Sequence, residues 1–253
     1  MNIIVCAKQV VDVSEMKIDP NTNKPILSGV SQKISDIDKN AMEEAIKIKD
    51  KNGGKITVIT VGSSDAKERI KELLAMGADE GILVTYPDKY DYRTVANLLA
   101  SAIKKIGKYD LILCGEASID LFSGQIGPRL AGLLNIPQIT YAQSITAEKD
   151  KITADKNMGD KSITEEANYP ALVTVTKEIN EPRLPSLMQI LGAANKPINE
   201  WGSDTLDADL NIKVDTIELK GVSMERKNEI YQNDLDESIS KLVESLNKEG
   251  VLR

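Results

Sequence analysis

The stretch Ile112-Leu-Cys-Gly-Glu-Ala-Ser-Ile-Asp-Leu-Phe-Ser-Gly-Gln-Ile-Gly-Pro-Arg-Leu-Ala-Gly-Leu-Leu134 decides the fold class, because it joins three elements in a fixed order. A short apolar run, a loop with glycines and an amphipathic pattern predict a buried strand, a turn and a helix. A proline costs about 3 kcal/mol in a helix interior, so Pro128 predicts a helix that begins close to Ser123 or Gly124. The apolar stripe that would pack on a sheet consists of Ile126, Leu130, Leu133 and Leu134.

The same alternation of strands and helices extends toward the amino terminus. Asp65 and Glu68 resemble a capping box that opens a helix ending near Met76. Four strands separated by helices predict a three-layer α/β/α fold, doubly wound around a mainly parallel, Rossmann-like sheet. The strands are predicted at residues 3–7, 55–61, 81–85 and 110–114, the other helices at 39–50 and 92–106, and a hairpin-like turn around 19–25.

Sheets of this kind bind ligands at the carboxyl ends of their strands. The quoted loop follows such an end, so residues 123–127 would present unpaired backbone N–H groups, a positive helix dipole and glycines to an anion such as phosphate. Small residues also close the strands at Cys6-Ala7, Val61-Gly62 and Cys114-Gly115, which leaves room for a flat adenine ring. An ordinary strand-loop-helix turn would carry the same glycines, so both interpretations stay open here.

Composition excludes several function classes. The net charge of −7 argues against nucleic-acid binding, and the absence of histidine excludes Ser-His and Cys-His catalytic pairs and histidine metal sites. No apolar run approaches the roughly 20 residues that cross a bilayer, so no membrane insertion and a cytoplasmic location are predicted. Cys6 and Cys114 are interpreted as small buried residues, and no metal site or catalytic side chain is predicted.

Several segments together resemble the beta subunit of electron transfer flavoproteins. The resemblance is collinear from residue 1 to about residue 200, whereas the carboxyl-terminal quarter is similar only in kind. The segments are Val5-Cys-Ala-Lys-Gln-Val10, Met16-Lys-Ile-Asp-Pro20, Ile34-Ser-Asp-Ile-Asp-Lys-Asn-Ala-Met-Glu-Glu-Ala45, Ala75-Met-Gly-Ala-Asp79, the opening stretch and Asn180-Glu-Pro-Arg-Leu-Pro-Ser-Leu187.

This resemblance implies an electron-carrier subunit in a heterodimer with a larger alpha subunit, which carries a redox FAD near the interface. The beta subunit would bind AMP, or a second FAD in electron-bifurcating members. Electrons would come from NADH, with NAD as its oxidised form, or from an acyl-CoA or hydroxy-acid dehydrogenase. The implied nucleotide contacts, completed by the small strand-end residues, are Cys6, Ala7, Ser35, Asp36, Ile37, Asp38, Val61, Gly62, Gly115, Asp120, Leu121, Phe122, Ser123, Gly124, Gln125, Ile126 and Gly127.

Two positions depart from the family pattern. Many bifurcating relatives read Arg-Gln-Ala-Ile-Asp-Gly-Asp-Thr-Ala-Gln-Val-Gly-Pro, where this chain has Glu116 at the arginine and Phe122 at the second acidic position. Their loss weakens the case for bifurcation, while the Gln-Ile-Gly-Pro ending and the Ser-Asp-Ile-Asp-Lys segment keep it open. The balance leans slightly toward a second FAD over AMP. Asp120 could accept a ribose hydroxyl or simply cap the loop.

The segment after the last core strand has a second expected role. Two prolines stiffen the approach, Ser186 can cap a short helix, and the helix carries crowded apolar residues. The resemblance identifies this recognition loop, at about residues 180–197, as the docking site for a partner dehydrogenase. The alternative is a short helix that covers the chain's own core. The predicted partner-binding residues are Glu181, Pro182, Arg183, Leu184, Leu187, Met188, Ile190 and Leu191.

The chain is therefore divided into a nucleotide-binding unit, residues 1–200, and a carboxyl-terminal extension, residues 201–253. Between residues 139 and 175 an antiparallel excursion is predicted, with a turn at 157–159. Residues 200–230 resemble a segment wrapped over another chain. A final helix would place an apolar stripe on the alpha subunit or on this chain's own sheet, formed by Leu235, Ile239, Leu242, Val243 and Leu246.

Two alternative functions use the same kind of sheet. A stand-alone ATP- or AMP-binding regulatory protein, similar to universal stress proteins, would explain the alternating elements and the phosphate loop. It would leave the recognition loop and the extension unexplained. An adenylating enzyme of the ATP pyrophosphatase type needs a Ser-Gly-Gly loop after the first strand, where this chain has Ala7-Lys-Gln-Val10, and is therefore discounted.

Overall fold

The computed structural model describes residues 1–86, 89–221, 227–232 and 234–252. Within these ranges, seven parallel strands form one sheet with the order β14-β7-β6-β1-β8-β13-β9. The sheet confirms the predicted α/β class. Its strands are β1 (Asn2–Cys6), β6 (Lys55–Gly62), β7 (Glu80–Thr85), β8 (Leu111–Gly115), β9 (Gln138–Ala142), β13 (Ala171–Val175) and β14 (Ile198–Gly202).

The sheet is buried on both faces, as its β-branched strands predict. Neighbouring residues Val58 and Ile59 in β6 are fully buried and belong to two different core clusters, because successive side chains point to opposite faces. Helices α1 (Asp36–Asn52) and α2 (Ala66–Met76) contribute to the first cluster, and α3 (Tyr92–Ile106) and α4 (Ile126–Leu134) to the second. The three predicted layers are therefore present.

The chain reverses its direction across the sheet at β1. From β1 it proceeds through β6 to β7, and α3 then carries it back to β8, on the other side of β1. Ligands of doubly wound sheets bind in the crevice outside the strand ends at such a switch point. The topology therefore directs attention to the carboxyl ends of β1 and β8.

The helix predicted after Asp65 is confirmed as α2, which ends at Met76, but its capping box is absent, and the predicted start of α4 is wrong. At α2, Asp65 forms no side-chain cap, because its backbone is already helical and its carboxylate accepts hydrogen bonds from Ser63 and Gln9 instead. At α4, the helix begins at Ile126 rather than near Ser123 or Gly124. Gly124 has φ +63°, which a right-handed helical turn cannot contain.

The apolar stripe of α4 is only partly a core stripe. Leu130 is fully buried and Ile126 packs against the same cluster, as predicted. Leu133, however, is 42% exposed. Leu134 packs against the second cluster, so Leu133 is the residue of the predicted stripe that the structure leaves exposed.

Small antiparallel sheets interrupt the main alternation. The turn predicted around residues 19–25 is a hairpin of β3 (Lys17–Ile18) and β4 (Pro25–Ile26), and β2 (Gln9–Val11) pairs with β5 (Gln32–Ile34). The later excursion is confirmed as a three-stranded sheet, although β9 precedes it as an edge strand of the main sheet. Its strands are β10 (Ser144–Ala147), β11 (Lys151–Asn157) and β12 (Ser162–Asn168).

The unit boundary placed between residues 200 and 201 falls inside β14. Trp201 packs against the second core cluster and Leu206 belongs to it, so the main unit continues past that boundary. Asn97 in α3 then donates a hydrogen bond to the carbonyl of Asp209 at 2.8 Å, which holds the chain along this helix. Part of the predicted wrapping segment, residues 222–226, lies outside the described residues, as do residues 233 and 253.

The final helix, α6 (Leu235–Lys248), exposes its apolar stripe. The side chains of Leu235 and Ile239 are 74% and 50% exposed, and Leu242 and Val243 are also exposed. The structure therefore does not bury these four residues on the chain's own sheet. In the described part of the chain, no helix is both long and apolar enough to cross a membrane.

Among the helix caps, Asp91 is expected to contribute strongly to the free energy of unfolding. Its carboxylate accepts N–H bonds from Thr94 at 2.7 Å and from Lys213 at 2.8 Å, so it caps α3 and anchors the extension together. Asp91→Ala is expected to lower the free energy of unfolding by about 1–3 kcal/mol, measured by urea denaturation. Asp234→Ala, at the exposed cap of α6, is the control and should cost less. Equal losses would contradict the anchoring role.

Candidate nucleotide site

Three strand ends meet at the carboxyl edge of the sheet. β1 lies between β6 and β8, with Cys6 opposite Ile59 on one side and Cys114 on the other. This places the predicted small residues side by side, because parallel strands end at the same edge. Cys6 and Ala7 are buried, and Val61 and Gly62 are half-buried.

Asp38 joins α1 to both central strands. Its buried carboxylate accepts the backbone N–H of Lys8 at 2.9 Å and that of Gly115 at 2.9 Å. Gly115 is required here, since a Cβ at that position would lie 2.7 Å from the Asp38 Oδ1 atom and 3.0 Å from Ile37. Ser35 Oγ in turn accepts the N–H of Ile119 at 3.4 Å. The predicted segment 35–38, in which Asp36 is half-buried, therefore packs directly on the loop after β8.

Asp38 is expected to make stability depend on pH between about 5 and 7. Burial raises the pKa of Asp38 to about 7, although its two amide donors act in the opposite direction. A raised pKa means that the folded chain holds a proton that the unfolded chain releases near pH 4, so stability falls as pH rises through 7, by up to about 1.4 kcal/mol per unit. Because the chain has no histidine, few other groups titrate in this window.

Urea denaturation at pH 5 and pH 7 checks this expectation. Asp38→Asn should reduce the difference between the two pH values. Asp155→Asn, an exposed carboxylate whose pKa is lowered by hydrogen bonds from Thr164 and Ser144, should leave the difference unchanged. A native chain that becomes more stable toward pH 7 would contradict the expected sign.

Lys8 holds the loop after β8. Its Nζ atom lies 2.7 Å from Asp120 Oδ2 and 3.0 Å from Asp120 Oδ1, and 3.5 Å from Ser118 Oγ. Asp120 Oδ1 also accepts the N–H of the adjacent Leu121 at 2.9 Å. Both oxygen atoms of Asp120 therefore bind groups of this chain. These contacts favour the interpretation that Asp120 caps the loop.

The turn into α4 has a left-handed backbone at two positions. Phe122 has φ +46° and a side chain that is 65% exposed, and Gly124 has φ +63°. Ser123, Gln125 and Ile126 are half-buried. The N–H groups of the first helical turn lack partners within a helix, and α4 begins after the carboxyl end of β8. The missing N–H of Pro128 reduces their number.

Gly127 fixes how closely α4 approaches the sheet. A Cβ on Gly127 would lie 2.4 Å from Thr174 Cγ2 and 3.4 Å from Cys114 Sγ. Thr174 is itself held, because its Oγ1 accepts the N–H of Tyr141 at 3.0 Å. The first turn of α4 therefore lies in direct contact with β8 and β13.

The charges at this edge are mostly negative. Burial, with a smaller effect of Glu178, raises the pKa of Glu116. Burial also raises the pKa of Cys6 and of Cys114, so both remain neutral thiols, as their interpretation as structural residues predicts. The arrangement provides backbone donors for an anion, Lys8 is paired with Asp120, and the thiols are unsuited to act as nucleophiles.

Two shallow clefts lie away from these strand ends. One, of about 330 Å³, lies between α3 and α4 and includes Arg93 and Arg129. The other, of about 250 Å³, lies between the first turns of α1 and residues 177–182. Neither is lined by the strand ends, so the candidate site rests on topology and backbone geometry.

The recognition loop contains a short capped helix, α5 (Leu187–Ala193). Ser186 caps this helix as predicted, and Gln189 completes a capping box with it. Within α5 only Ala193 is buried. The alternative, in which this short helix covers the chain's own core, therefore applies to Ala193 but not to the rest of the helix. The predicted apolar residues Leu184, Leu187, Met188, Ile190 and Leu191 are all exposed, at 92, 71, 76, 51 and 59%.

The base of this loop is bound to α1. Arg183 donates from Nε to Glu43 at 2.8 Å, and Asn40 donates to the Asn180 carbonyl at 2.7 Å. The guanidinium of Arg183 is thus engaged within the chain, while Glu181 is exposed and Pro182 half-buried.

Sequence reasoning missed Lys8 at the sheet edge and Asn40, Glu43 and Asn180 at the loop base. Lys8 directly follows a predicted strand end, which was a usable signal. Asn40 and Glu43 lie among alanines on the inward face of a helix, where unpaired polar groups are costly, and that pattern indicated buried partners.

Comparison with known proteins supports the family resemblance. Residues 26–206 match the electron transfer flavoprotein domain. The chain is 40% identical, over all of both chains, to the electron transfer flavoprotein subunit beta of Thermoanaerobacterium thermosaccharolyticum, and 37% identical, over 98% of this chain and 99% of the relative, to that of Clostridium acetobutylicum. It is also 40% identical, over 81% of this chain and 80% of the relative, to the caffeyl-CoA reductase-Etf complex subunit CarD of Acetobacterium woodii.

These matches do not favour the stand-alone regulatory alternative. They cover the recognition loop and, in the two full-length relatives, the carboxyl-terminal extension that this alternative leaves unexplained. An electron-transfer role together with an alpha subunit and a flavin follows from the family. The chain belongs to the electron transfer flavoprotein family, among its beta subunits.

Proposed function

We propose that this chain holds an adenine nucleotide at the carboxyl edge of its own sheet, beside an FAD carried by the alpha subunit. The observation that carries the proposal is the meeting of the small ends of β1, β6 and β8 with the start of α4. Backbone N–H groups at a helix start bind phosphate, and residues without large side chains let adenine approach the strand ends.

The residues at this edge fit such a ligand. At Gly124 an added Cβ would meet only Tyr141 Oη at 3.6 Å and the Glu116 carbonyl at 3.7 Å, so the backbone there is open to approach. Gly115 and Gly127 bring Asp38 and α4 against the strands. In this arrangement the first turn of α4 would hold phosphate, and segment 35–38 would support the ribose and adenine.

The nucleotide is AMP or the adenine half of a second FAD. Both would present the same adenine, ribose and phosphate to this edge. We favour the second FAD slightly, because the Ser35–Lys39 and Gln125–Pro128 segments resemble those of bifurcating relatives, while Glu116 and Phe122 weigh against it. With NADH as donor, such a chain would take part in electron bifurcation.

A bound flavin would supply the electron-transfer chemistry, and the protein would position it and exclude water. Lys8 would keep the loop after β8 in place through Asp120, and Asp38 would hold the ends of β1 and β8 together. No side chain of this site is assigned a proton-transfer role.

Two protein partners are proposed to contact this chain. A dehydrogenase of the acyl-CoA or hydroxy-acid type would dock on the exposed apolar side chains of the recognition loop, since clustered exposed apolar groups mark interaction sites. The alpha subunit would cover the exposed stripe of α6 in the carboxyl-terminal extension. The relative named as part of a caffeyl-CoA reductase-Etf complex supports a reductase as an assembly partner. The cytoplasmic location stays a prediction.

Acid release of nucleotides from the heterodimer, purified with its co-expressed alpha subunit, tests the proposal. Two FAD per heterodimer would support a second flavin in this chain, and one FAD with one AMP a simple carrier. One FAD per heterodimer without AMP would contradict the proposal that a nucleotide binds at the edge of this sheet. A heterodimer that contains no flavin would contradict the proposed electron-transfer function as a whole.

A further inference from the structure

Besides Asp38, α1 carries three buried polar side chains, Asn40, Glu43 and Glu44. They are 2, 4 and 7% exposed, although asparagine and glutamate are mostly exposed in proteins. Burial of such groups is costly unless each has a partner. We call these three residues the α1 socket.

Every residue of the α1 socket binds the base of the recognition loop. Asn40 Nδ2 donates to the Asn180 carbonyl at 2.7 Å and to Asn180 Oδ1 at 3.0 Å. Asn180 Nδ2 donates in return to the Asn40 carbonyl at 3.0 Å and to Glu44 Oε2 at 3.1 Å. The two amide side chains therefore bind each other's backbone in a reciprocal pair.

Glu43 binds Arg183 by both oxygen atoms. Arg183 donates from Nε to Glu43 Oε2 at 2.8 Å, from Nη2 to Oε1 at 2.9 Å and from its backbone N–H to Oε2 at 3.1 Å. Asp50 lies 3.6 Å from Arg183 Nη1 and adds a second carboxylate. Such a bidentate contact fixes the direction of the guanidinium plane as well as its position.

The far end of the recognition loop is fixed independently. Ala193 is buried in the first core cluster, and Lys196 Nζ donates to the carbonyls of Leu74 and Ala78 at 2.8 and 2.7 Å. Between these two attachments the apolar side chains from Leu184 to Leu191 remain exposed. The loop is therefore held at both ends and free along the part that carries the docking residues.

We propose that the α1 socket is a positioning element for docking. It would hold Asn180 and Arg183 so that the exposed apolar residues reach the dehydrogenase in one prepared arrangement, which lowers the ordering cost of binding. This inference rests on the docking role proposed above. In this inference Asn40 and Glu43, which lie outside the recognition loop, hold the docking residues in position.

Hydrogen exchange in the heterodimer gives a test that needs no dehydrogenase. Glu43→Gln removes the charge and one strong acceptor but keeps the shape, so the amides of Arg183 and Ile190 should exchange at least roughly tenfold faster. Glu72→Gln on α2 removes an equal charge that pairs with Arg69 instead, and should leave them unchanged. Unchanged exchange in Glu43→Gln would overturn the proposal.

Turnover with a short-chain acyl-CoA dehydrogenase as electron donor gives the functional test. Glu43→Gln should raise the KM for the dehydrogenase by about tenfold, with kcat and the nucleotide content unchanged. Arg183→Lys keeps the charge without the bidentate geometry and should give an intermediate KM. A raised KM with an unchanged kcat indicates a positioning role. A general loss of stability would instead lower the active fraction and leave KM unchanged.

A double variant separates failure of the inference from failure of the docking role. If the socket acts through the loop, Glu43→Gln should add little to the KM of a Leu187→Ala variant. A normal KM in Leu187→Ala alone would refute docking itself. A raised KM in Leu187→Ala with a normal KM in Glu43→Gln would refute only the α1 socket.

Discussion

Gly127→Ala is expected to weaken nucleotide binding at the proposed site. The added Cβ would lie 2.4 Å from Thr174 Cγ2, far below a normal contact, and Cys114 Sγ at 3.4 Å blocks a compensating shift. Thr174 cannot rotate away without losing its hydrogen bond with the Tyr141 amide. The first turn of α4 must therefore move outward from β8 and β13, and with it the N–H groups proposed to hold phosphate.

The expected loss is at least about tenfold in nucleotide affinity, which corresponds to 1.4 kcal/mol, together with about 1–3 kcal/mol of stability from overpacking. Nucleotide content of the purified heterodimer and urea denaturation measure the two effects. Gly132→Ala in the same helix is the matched control. It adds the same methyl group where nothing lies within 4 Å, and should stabilise the chain slightly. Full nucleotide content in Gly127→Ala would contradict the proposed site.

Leu187→Ala is expected to abolish most turnover with a partner dehydrogenase. Leu187 is 71% exposed at the first position of α5, between Leu184 and Met188, which are 92% and 76% exposed. Truncation of one central apolar anchor in a docking site costs about 2 kcal/mol or more, which is roughly a 30-fold loss in kcat/KM. Because α5 keeps its capping box in this variant, the helix itself should remain.

The measurement is the rate of electron transfer from a reduced acyl-CoA dehydrogenase, with a small artificial acceptor as a second readout. Met158→Ala is the matched control, since Met158 is 55% exposed in the turn between β11 and β12. It should leave both rates unchanged. If Leu187→Ala reacted with the dehydrogenase at the native rate, the recognition loop would lose its assigned role.

The regular elements could be predicted because their signals are local. α3 has the predicted limits of 92 and 106, since the helical pattern and its cap lie in adjacent residues. The start of α4 could not be predicted from Pro128, because the proline allows several first turns. The left-handed backbone at Phe122 and Gly124 chooses among them. The neighbours of this turn include Tyr141 beside Gly124 and Thr174 beside Gly127, which lie on other strands.

Some site residues could likewise be predicted from local sequence, whereas others depend on contacts between distant segments. The small residues at Cys6, Val61 and Gly115 could be selected from the sequence, because parallel strands must end at one edge. The contacts of Lys8 with Asp120, 112 residues away, could not be selected, because no local pattern encodes a pairing over that separation. Arg183 stays a predicted partner residue, and the structure adds a contact that no local pattern indicated, because Glu43 binds its guanidinium within the chain.

By itself the sequence determined the α/β class, the positions of the main strands and helices, the family and the apolar character of the recognition loop. These follow from hydrophobic periodicity, turn residues and motifs that are contiguous along the chain. Only the tertiary structure decided where α4 begins, which side chains support the strand ends and how α1 holds the loop. Those features depend on close contacts and buried hydrogen bonds between segments up to 140 residues apart, and such pairings exist only once the chain has folded.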